Sequence, residues 1–296
     1  MNRILLNPGG GRGRAARVRP RLAELAQAAG CELRISHDAA DLTAQARQAA
    51  ADGVERLLVA GGDGTMNLAI QGLAGSATAL AALPLGSGND LAATLGMPAD
   101  LASAVPLALS APIRSIDLVQ VGDRLYGGVA GVGFDSAANE TGNRVKRLKG
   151  PLIYLYSVLH TLATFKPIVY AIEHEGGRFE GPGMMMVAAN APRFGGGMRV
   201  APEARIDDGL LDLVIIRQVS KLTFLRVFPH VYKGTHVSHP CFFTARTTWA
   251  HVRLDRPMQV YGDGERLVPV PPEGVRFEVR PALLRAVFAA DMLRRP

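Results

Sequence analysis

Along the first hundred positions, short apolar runs alternate with stretches whose apolar residues recur every three to four places. The runs at 3–6, 32–35, 56–60 and 80–83 predict short buried strands. Between them, 15–29 reads as a helix with Val18, Leu22 and Leu25 on one face, and Gly30 closes it as a C′ glycine does. A second helix is predicted over 39–51. A third begins near Met66, where Leu68, Ala69, Ile70 and Leu73 keep helical spacing. This alternation predicts a parallel sheet with right-handed crossovers.

From about position 119 the pattern changes. Segments 118–121, 126–132, 168–173, 184–189 and 211–216 are β-rich and punctuated by glycine and proline, which predicts an antiparallel sandwich. The exception is 144–160. There Arg144, Lys146, Arg147 and Lys149 precede a very apolar helix with Pro151 in its first turn. Basic plus apolar is what a membrane-surface contact needs. The helix reads as one that covers the sheet, and the basic loop as lipid-facing.

Composition narrows the partners. The chain has 296 residues, 48% of them hydrophobic, enough for one large or two modest cores. Its formal net charge is +7, which favours anionic partners. Cys31 and Cys241 make no disulfide framework, so a reducing, cytoplasmic compartment is expected. Pro8 interrupts the start before a signal-type apolar region could form, and no run of about 18 apolar residues spans a membrane. His236, His239 and Cys241 lack a fourth ligand at zinc spacing. Nucleic acid is not an expected partner: no helix-turn-helix pattern is present, and only 6% of residues are aromatic for stacking.

Candidate chemistry lies in the breaks. Gly61-Gly62-Asp63-Gly64-Thr65 falls where a strand ends and a helix begins, so unpaired N–H groups and the helix dipole suit a phosphate. Asp63 adds a carboxylate and Thr65 a hydroxyl. The first break, Asn7 to Arg14, includes a loose dinucleotide pattern at 11–16, but the acid expected after the second strand would have to be Asp38, beside Ser36 and His37. It reads better as a second phosphate-facing turn. Gly86-Ser87-Gly88-Asn89-Asp90 forms a third, and three such turns at the ends of parallel strands should line one crevice. No Walker lysine or protein-kinase H-R-D is present. Asp207-Asp208-Gly209 and Asp263-Gly264 read locally as turns, the latter as a hairpin.

The ordered set Asn7-Pro8, Gly61 to Thr65, Gly86 to Asp90, Asn190 to Met198, Ala201 to Ala204, Asp207 to Asp212 and Gly262 to Glu265 resembles the catalytic-domain family of diacylglycerol kinases, shared by bacterial lipid kinases and by sphingosine and ceramide kinases. The likeness runs nearly full length. Gly10 and Ser87 depart from the residues the family often has, serine and threonine.

The resemblance implies an α/β fold of the NAD-kinase/diacylglycerol-kinase type. An N-terminal α/β nucleotide domain (1–118) would be followed by a C-terminal β-rich sandwich domain (119–281), with 282–296 returning to the first. It implies an ATP-dependent lipid kinase acting on diacylglycerol or a related glycerolipid. ATP would be held by Asn7, Pro8, Gly9, Gly10, Gly11, Ser36, Gly61, Gly62, Asp63, Gly64, Thr65, Asn67, Ser87, Asn89 and Asp90. Glu265 would be the base, with Asp263 orienting it or a metal and Asp63 contributing to catalysis. A structural Mg²⁺, or Ca²⁺, would bind Asp208 and the carbonyls of Arg205 and Leu210, with Asp117 connected through water; oxygen-only ligation suits either ion. A second Mg²⁺ would travel with ATP near Asp63 or Asp90. Expected partners are a lipid substrate, a transient anionic membrane surface and a second copy in a homodimer, giving a cytoplasmic protein peripheral at the membrane. Two alternatives remain open at this point. NAD kinases share the Gly-Gly-Asp-Gly-Thr turn, and a catalytically silent lipid- or nucleotide-binding regulator would share the composition.

Overall fold

The computed structural model describes residues 2–10, 14–144 and 151–289. Gly11 of the first turn, positions 145–150 of the basic loop and 290–296 lie outside the described residues. Strands β1 (Asn2–Leu6), β2 (Glu32–Ile35), β3 (Arg56–Gly61) and β4 (Ala79–Pro84) alternate with helices α1 (Arg14–Ala28), α2 (Ala39–Ala51) and α3 (Asp63–Leu73). All four strands are parallel, in the order β2-β1-β3-β4. The chain leaves β1 to one side and returns for β3 on the other. That reversal opens a crevice beyond the ends of β1 and β3. Ile4, Leu5, Leu57, Leu58, Leu80 and Leu83 are buried from both faces, as a helix-covered parallel sheet requires.

Helices α4 (Asp90–Thr94) and α5 (Leu101–Ser110) lead into β5 (Ile113–Val121), where the second lobe begins. It holds β6 (Arg124–Tyr126), β7 (Val129–Gly133), β8 (Ile168–His174), β9 (Gly177–Ala189) and β10 (Leu211–Arg217). Then come β11 (Phe242–Thr247), β12 (Trp249–Leu254), β13 (Met258–Gly262), β14 (Glu265–Val270) and β15 (Val275–Val287). Pairing within this lobe is antiparallel, and its strands bury a core around Tyr126, Tyr170, Met186, Val252 and Phe277. Helices α6 (Phe134–Arg144), α7 (Pro151–Thr164) and α8 (Lys221–Val227) cover one side. In α7, Val158 and Leu162 are buried while Tyr156 and Leu159 are exposed, so the helix covers the sheet with one face only.

β15 crosses between the lobes. Its first half pairs with β12 and β5, and after a bulge between Arg280 and Leu284 its end pairs in parallel with β4. Leu284, Ala286 and Val287 thereby enter the core of the first lobe.

The apolar run at 126–132 is not one strand. β6 ends at Tyr126 and β7 starts at Val129, because the amides of Gly127, Gly128 and Val129 turn away from a sheet to the carboxylate of Asp263. β9 starts seven residues before the apolar run at 184, across glycines and Pro182 that read as a turn in isolation.

Candidate active site

Three turns meet beyond the C-terminal ends of β1, β3 and β4. A Cβ on Gly10 would lie 3.6 Å from the Cα of Gly61, and one on Gly86 would lie 2.6 Å from the Cα of Gly62. Backbone touches backbone at Gly62–Gly86, a contact that any side chain would force apart. Gly62 is the N-cap of α3 and brings no side-chain acceptor to the helix start. Hydrogen bonding begins only where Met66 N–H donates to Gly62 O (3.0 Å), so the amides of the first turn face outward for an anion. Asn7 ties the first turn to this helix: its Nδ2 donates to Thr65 Oγ1 (2.9 Å), and its Oδ1 accepts from Gly9 N–H (3.0 Å).

Two acids flank the third turn. A Cβ on Gly88 would lie 2.8 Å from Asp63 Oδ2 and 3.2 Å from Asp90 Oδ2, so both carboxylates converge there. Burial, and then the charge of Asp90, push the pKa of Asp63 up to about 6, with Leu91 N–H donating to its Oδ1 (3.2 Å). Asp90 accepts N–H bonds from Gly196 and Gly197 of the second lobe, each 2.7 Å. A crowded acid pair fits the donor chemistry of a divalent cation carried by a polyphosphate. Among the described residues no cluster of three or more acid, histidine or cysteine side chains forms a closed metal site.

Glu265 reaches this assembly from the β13–β14 hairpin. Its carboxylate rests against the Cα of Gly64, where an added Cβ would overlap Oε1 and lie 3.0 Å from Cδ. Burial raises its pKa, with Arg124 opposing. Asp263 lies two residues earlier. It adopts φ 50°, and its carboxylate accepts from the N–H groups of Gly127 (2.9 Å), Gly128 (3.1 Å) and Val129 (3.0 Å). Burial raises its pKa while those amides oppose. These bonds fix the hairpin turn from which Glu265 projects.

Other residues selected from sequence face inward. Ser36 is buried, with its hydroxyl on Leu6 O (3.4 Å). Asn67 Nδ2 donates to Leu125 O (3.0 Å). Asn89, at φ 57°, closes its own turn on Gly86, accepting from N–H (2.7 Å) and donating to the carbonyl (2.9 Å). Pro8 and Gly9 sit in the first turn, and Ser87 lines the cleft.

The expected structural metal set is also differently engaged. Asp208 pairs with Arg246, which also approaches Asp212 at 3.5 Å. Asp117 accepts from Gly209 N–H (2.7 Å) and Ala282 N–H (2.8 Å). Arg205 lies 3.7 Å from Asp207, and Leu210 N–H donates to Asp208 Oδ1 (3.1 Å). A guanidinium thus lies between Asp208 and Asp212.

Beside the acids opens a cavity of about 640 Å³. Asp63, Ser87, Gly88, Asp90 and Gly264 line one end; Phe134, Val158, Met185, Phe224, Val231 and Phe242 line the rest. Sequence reasoning missed this lining, and with it Asp135 and Arg124. The signal for Asp135 was a fourth strand–glycine–helix junction, Gly133-Phe134-Asp135.

An anion-ready helix start, a carboxylate against it and an apolar cavity between two lobes define the class: a two-lobed kinase for an apolar acceptor. The comparisons agree with that class. The family model described as "Diacylglycerol kinase catalytic domain" matches residues 2–121, and "YegS C-terminal NAD kinase beta sandwich-like domain" matches 128–288. A "Diacylglycerol kinase" of Mycobacterium tuberculosis is 31% identical, covering 91% of this chain and 90% of its own. A "Probable lipid kinase YegS-like" of Pseudomonas fluorescens is also 31% identical, covering 90% and 89%. A diacylglycerol kinase structure from Bacillus anthracis superposes with TM-score 0.72 at 19% identity, covering 98% of this chain and 97% of that one, and so supports the fold. The chain belongs to the diacylglycerol kinase-like family of lipid kinases.

Proposed function

We propose that the protein transfers the γ-phosphate of ATP, with Mg²⁺, to the free hydroxyl of diacylglycerol or a closely related glycerolipid. The observation that carries this reading is the contact of Glu265 with Gly64. It brings a carboxylate of raised pKa against the turn best suited to hold the transferred phosphate, at the mouth of an apolar cavity. The amides that open α3 cradle the terminal phosphates, and Asn7 keeps Thr65 and the first turn in place around them. The Mg²⁺ that accompanies ATP would be held by Asp63, with Asp90 beside it, and supplies charge neutralisation of the phosphates. Glu265 accepts the acceptor's hydroxyl proton; the acceptor oxygen bonds to the γ-phosphorus, and the bond from that phosphorus to the β-γ bridging oxygen breaks, releasing ADP. Burial raises the basicity of Glu265, which brings it nearer to what proton transfer at neutral pH requires.

Access to the substrate is part of the proposal. Leu222, Leu225, Tyr156 and Leu159 are exposed on the helices α8 and α7, whose opposite faces line the cavity, and Arg226 stands exposed among them. Such a face suits transient docking on an anionic bilayer. No helix among the described residues is long and apolar enough to cross one.

The test is transfer of labelled phosphate from ATP to a mixed lipid extract with Mg²⁺, resolved by chromatography. A labelled glycerolipid is the expected result. ATP binding without any labelled lipid would overturn the reading, and labelled NAD would replace it.

A further inference from the structure

A carboxylate ties the two lobes together at the mouth of the cleft. Asp90 opens α4 in the first lobe, and its oxygens accept from two successive amides of the second: Gly196 N–H to Oδ2 and Gly197 N–H to Oδ1, each 2.7 Å. Gly195, Gly196 and Gly197 have φ 64°, 85° and 100°, a curl open to glycine that turns consecutive amides toward one anion. A Cβ on Gly88 would lie 3.5 Å from the nitrogen of Gly196, so the tip of this curl rests on the third phosphate-facing turn. Behind the tip, Phe194 N–H donates to Met198 O (2.9 Å) and Met198 N–H to Phe194 O (3.0 Å). Met198 belongs to the apolar cluster of Phe134, Met185 and Phe224, Phe194 packs against it, and both line the cavity. On the other side of the clamp, Leu91 N–H donates to Asp63 Oδ1 (3.2 Å) at the start of α3. A chain of bonds thus runs from the phosphate-facing helix start, through Asp90, to the cavity wall.

We propose that Asp90 couples the two substrates: by holding the 194–198 turn, it makes a nucleotide on the glycine turns and an acceptor packed against Phe194 and Met198 stabilise one another, so that each binds more tightly when the other is present. The proposal rests on the lipid-kinase reading and deepens it.

The coupling follows from what holds the tip. Among the described residues the three glycines make no hydrogen bond besides those to Asp90. Gly195 and Gly196 are exposed, so the tip gains conformational entropy whenever the clamp opens. A nucleotide on the Gly86 to Asp90 turn orders one jaw of the clamp, and an acceptor against Phe194 and Met198 orders the other. The ordering cost is shared, and whichever ligand binds second meets less of it. Linkage requires the gain to be equal in both directions. The lobes do not depend on this contact for their union, because β15 runs through both sheets. Removing the clamp therefore loosens the turn and leaves the fold in place.

The test uses the full chain in detergent micelles, a non-hydrolysable ATP analogue with Mg²⁺, and the dioctanoyl ester of propylene glycol, which matches dioctanoylglycerol without its free hydroxyl. In titration calorimetry the nucleotide should bind about fivefold or more tightly when the ester is saturating, and the ester should gain by the same factor from the nucleotide. In amide exchange read by mass spectrometry, nucleotide alone should slow the 194–198 segment, although it lies on the other lobe. Asp90→Ala should exchange fast there with or without nucleotide, and at saturating concentrations should bind the two ligands independently. Asp90→Asn, which keeps one accepting oxygen, should fall between. Independent binding by the unaltered protein, exchange at 194–198 that nucleotide leaves unchanged or speeds up, or coupling that survives in Asp90→Ala would each overturn the proposal. Labelled-phosphate transfer to dioctanoylglycerol is read separately. Coupled binding without transfer sinks the kinase chemistry alone, and transfer by a protein that binds the two ligands independently sinks only the role of Asp90.

Discussion

Gly64→Ala tests the placement of Glu265 without touching Glu265. Gly64 lies inside α3 with ordinary helical φ, so alanine brings no backbone strain and a helix preference of up to about 1 kcal/mol. The new methyl would overlap Glu265 Oε1 and approach Cδ and Cγ to 3.0 and 3.2 Å. The carboxylate must therefore swing away by about 1 Å to restore ordinary contact. A misplacement of that size at a reacting group costs about a hundredfold in rate, or about 2.7 kcal/mol of transition-state stabilisation. The assay is steady-state phosphate transfer to the acceptor lipid, paired with thermal melting. The expected result is a kcat about a hundredfold lower with melting unchanged or higher. In a Glu265→Ala background the same substitution should cost almost nothing, because the group it displaces is gone. An unimpaired kcat, or a full second loss in that background, would refute the role given to Glu265.

Asp263→Asn keeps a side chain that tolerates φ 50° but turns an NH₂ toward three donating amides, so it should destabilise the protein by about 3 kcal/mol in denaturant melts. Asp63→Asn should do the opposite. The folded pKa of Asp63 lies above its unfolded value of 3.8, so its charge opposes folding as pH rises through about 6. The variant should gain at most about 3 kcal/mol over the unaltered protein at pH 8 and little at pH 4, read from urea melts at both. Arg246→Gln removes the cation between Asp208 and Asp212 and should lower the melting temperature, with millimolar Mg²⁺ recovering part of the loss only in that variant. Replacing Leu222 and Leu225 together by aspartate should reduce co-sedimentation with anionic vesicles severalfold while transfer to a micellar short-chain acceptor holds.

The parallel lobe was legible because both its signals are local. Strand β2 and helix α2 fall where the apolar pattern places them, since periodicity and capping are written within a few residues. The strands β11 to β14 were not legible. Their residues alternate weakly, and partners as distant as Glu173 for His251 decide the pairing. At the site, sequence marked the right turns but not which way each side chain points. Ser36, Asn67 and Asn89 are polar residues at or near the turns, yet their side chains bond to backbone: Ser36 to Leu6, Asn67 to Leu125, and Asn89 to Gly86 of its own turn. The anchoring of Asp263 was not legible, because the three amides that claim it lie more than 130 residues earlier. Asp135 was passed over for a similar reason. Nothing near it in sequence reveals that its side chain is buried at the wall of the cavity.

The crossing of β15 has a consequence for how the chain is made. The first-lobe sheet leaves one side of β4 open until Arg285 and Ala286 arrive to pair with Ala79 and Leu80. During synthesis those partners are separated by the whole second lobe. The N-terminal half therefore waits on the ribosome with an exposed strand edge while the sandwich is translated, and its sheet is completed last although it begins first. A nascent chain halted before β15 should be a client of chaperones, and proteolysis of stalled chains would find the N-terminal half still open to cleavage.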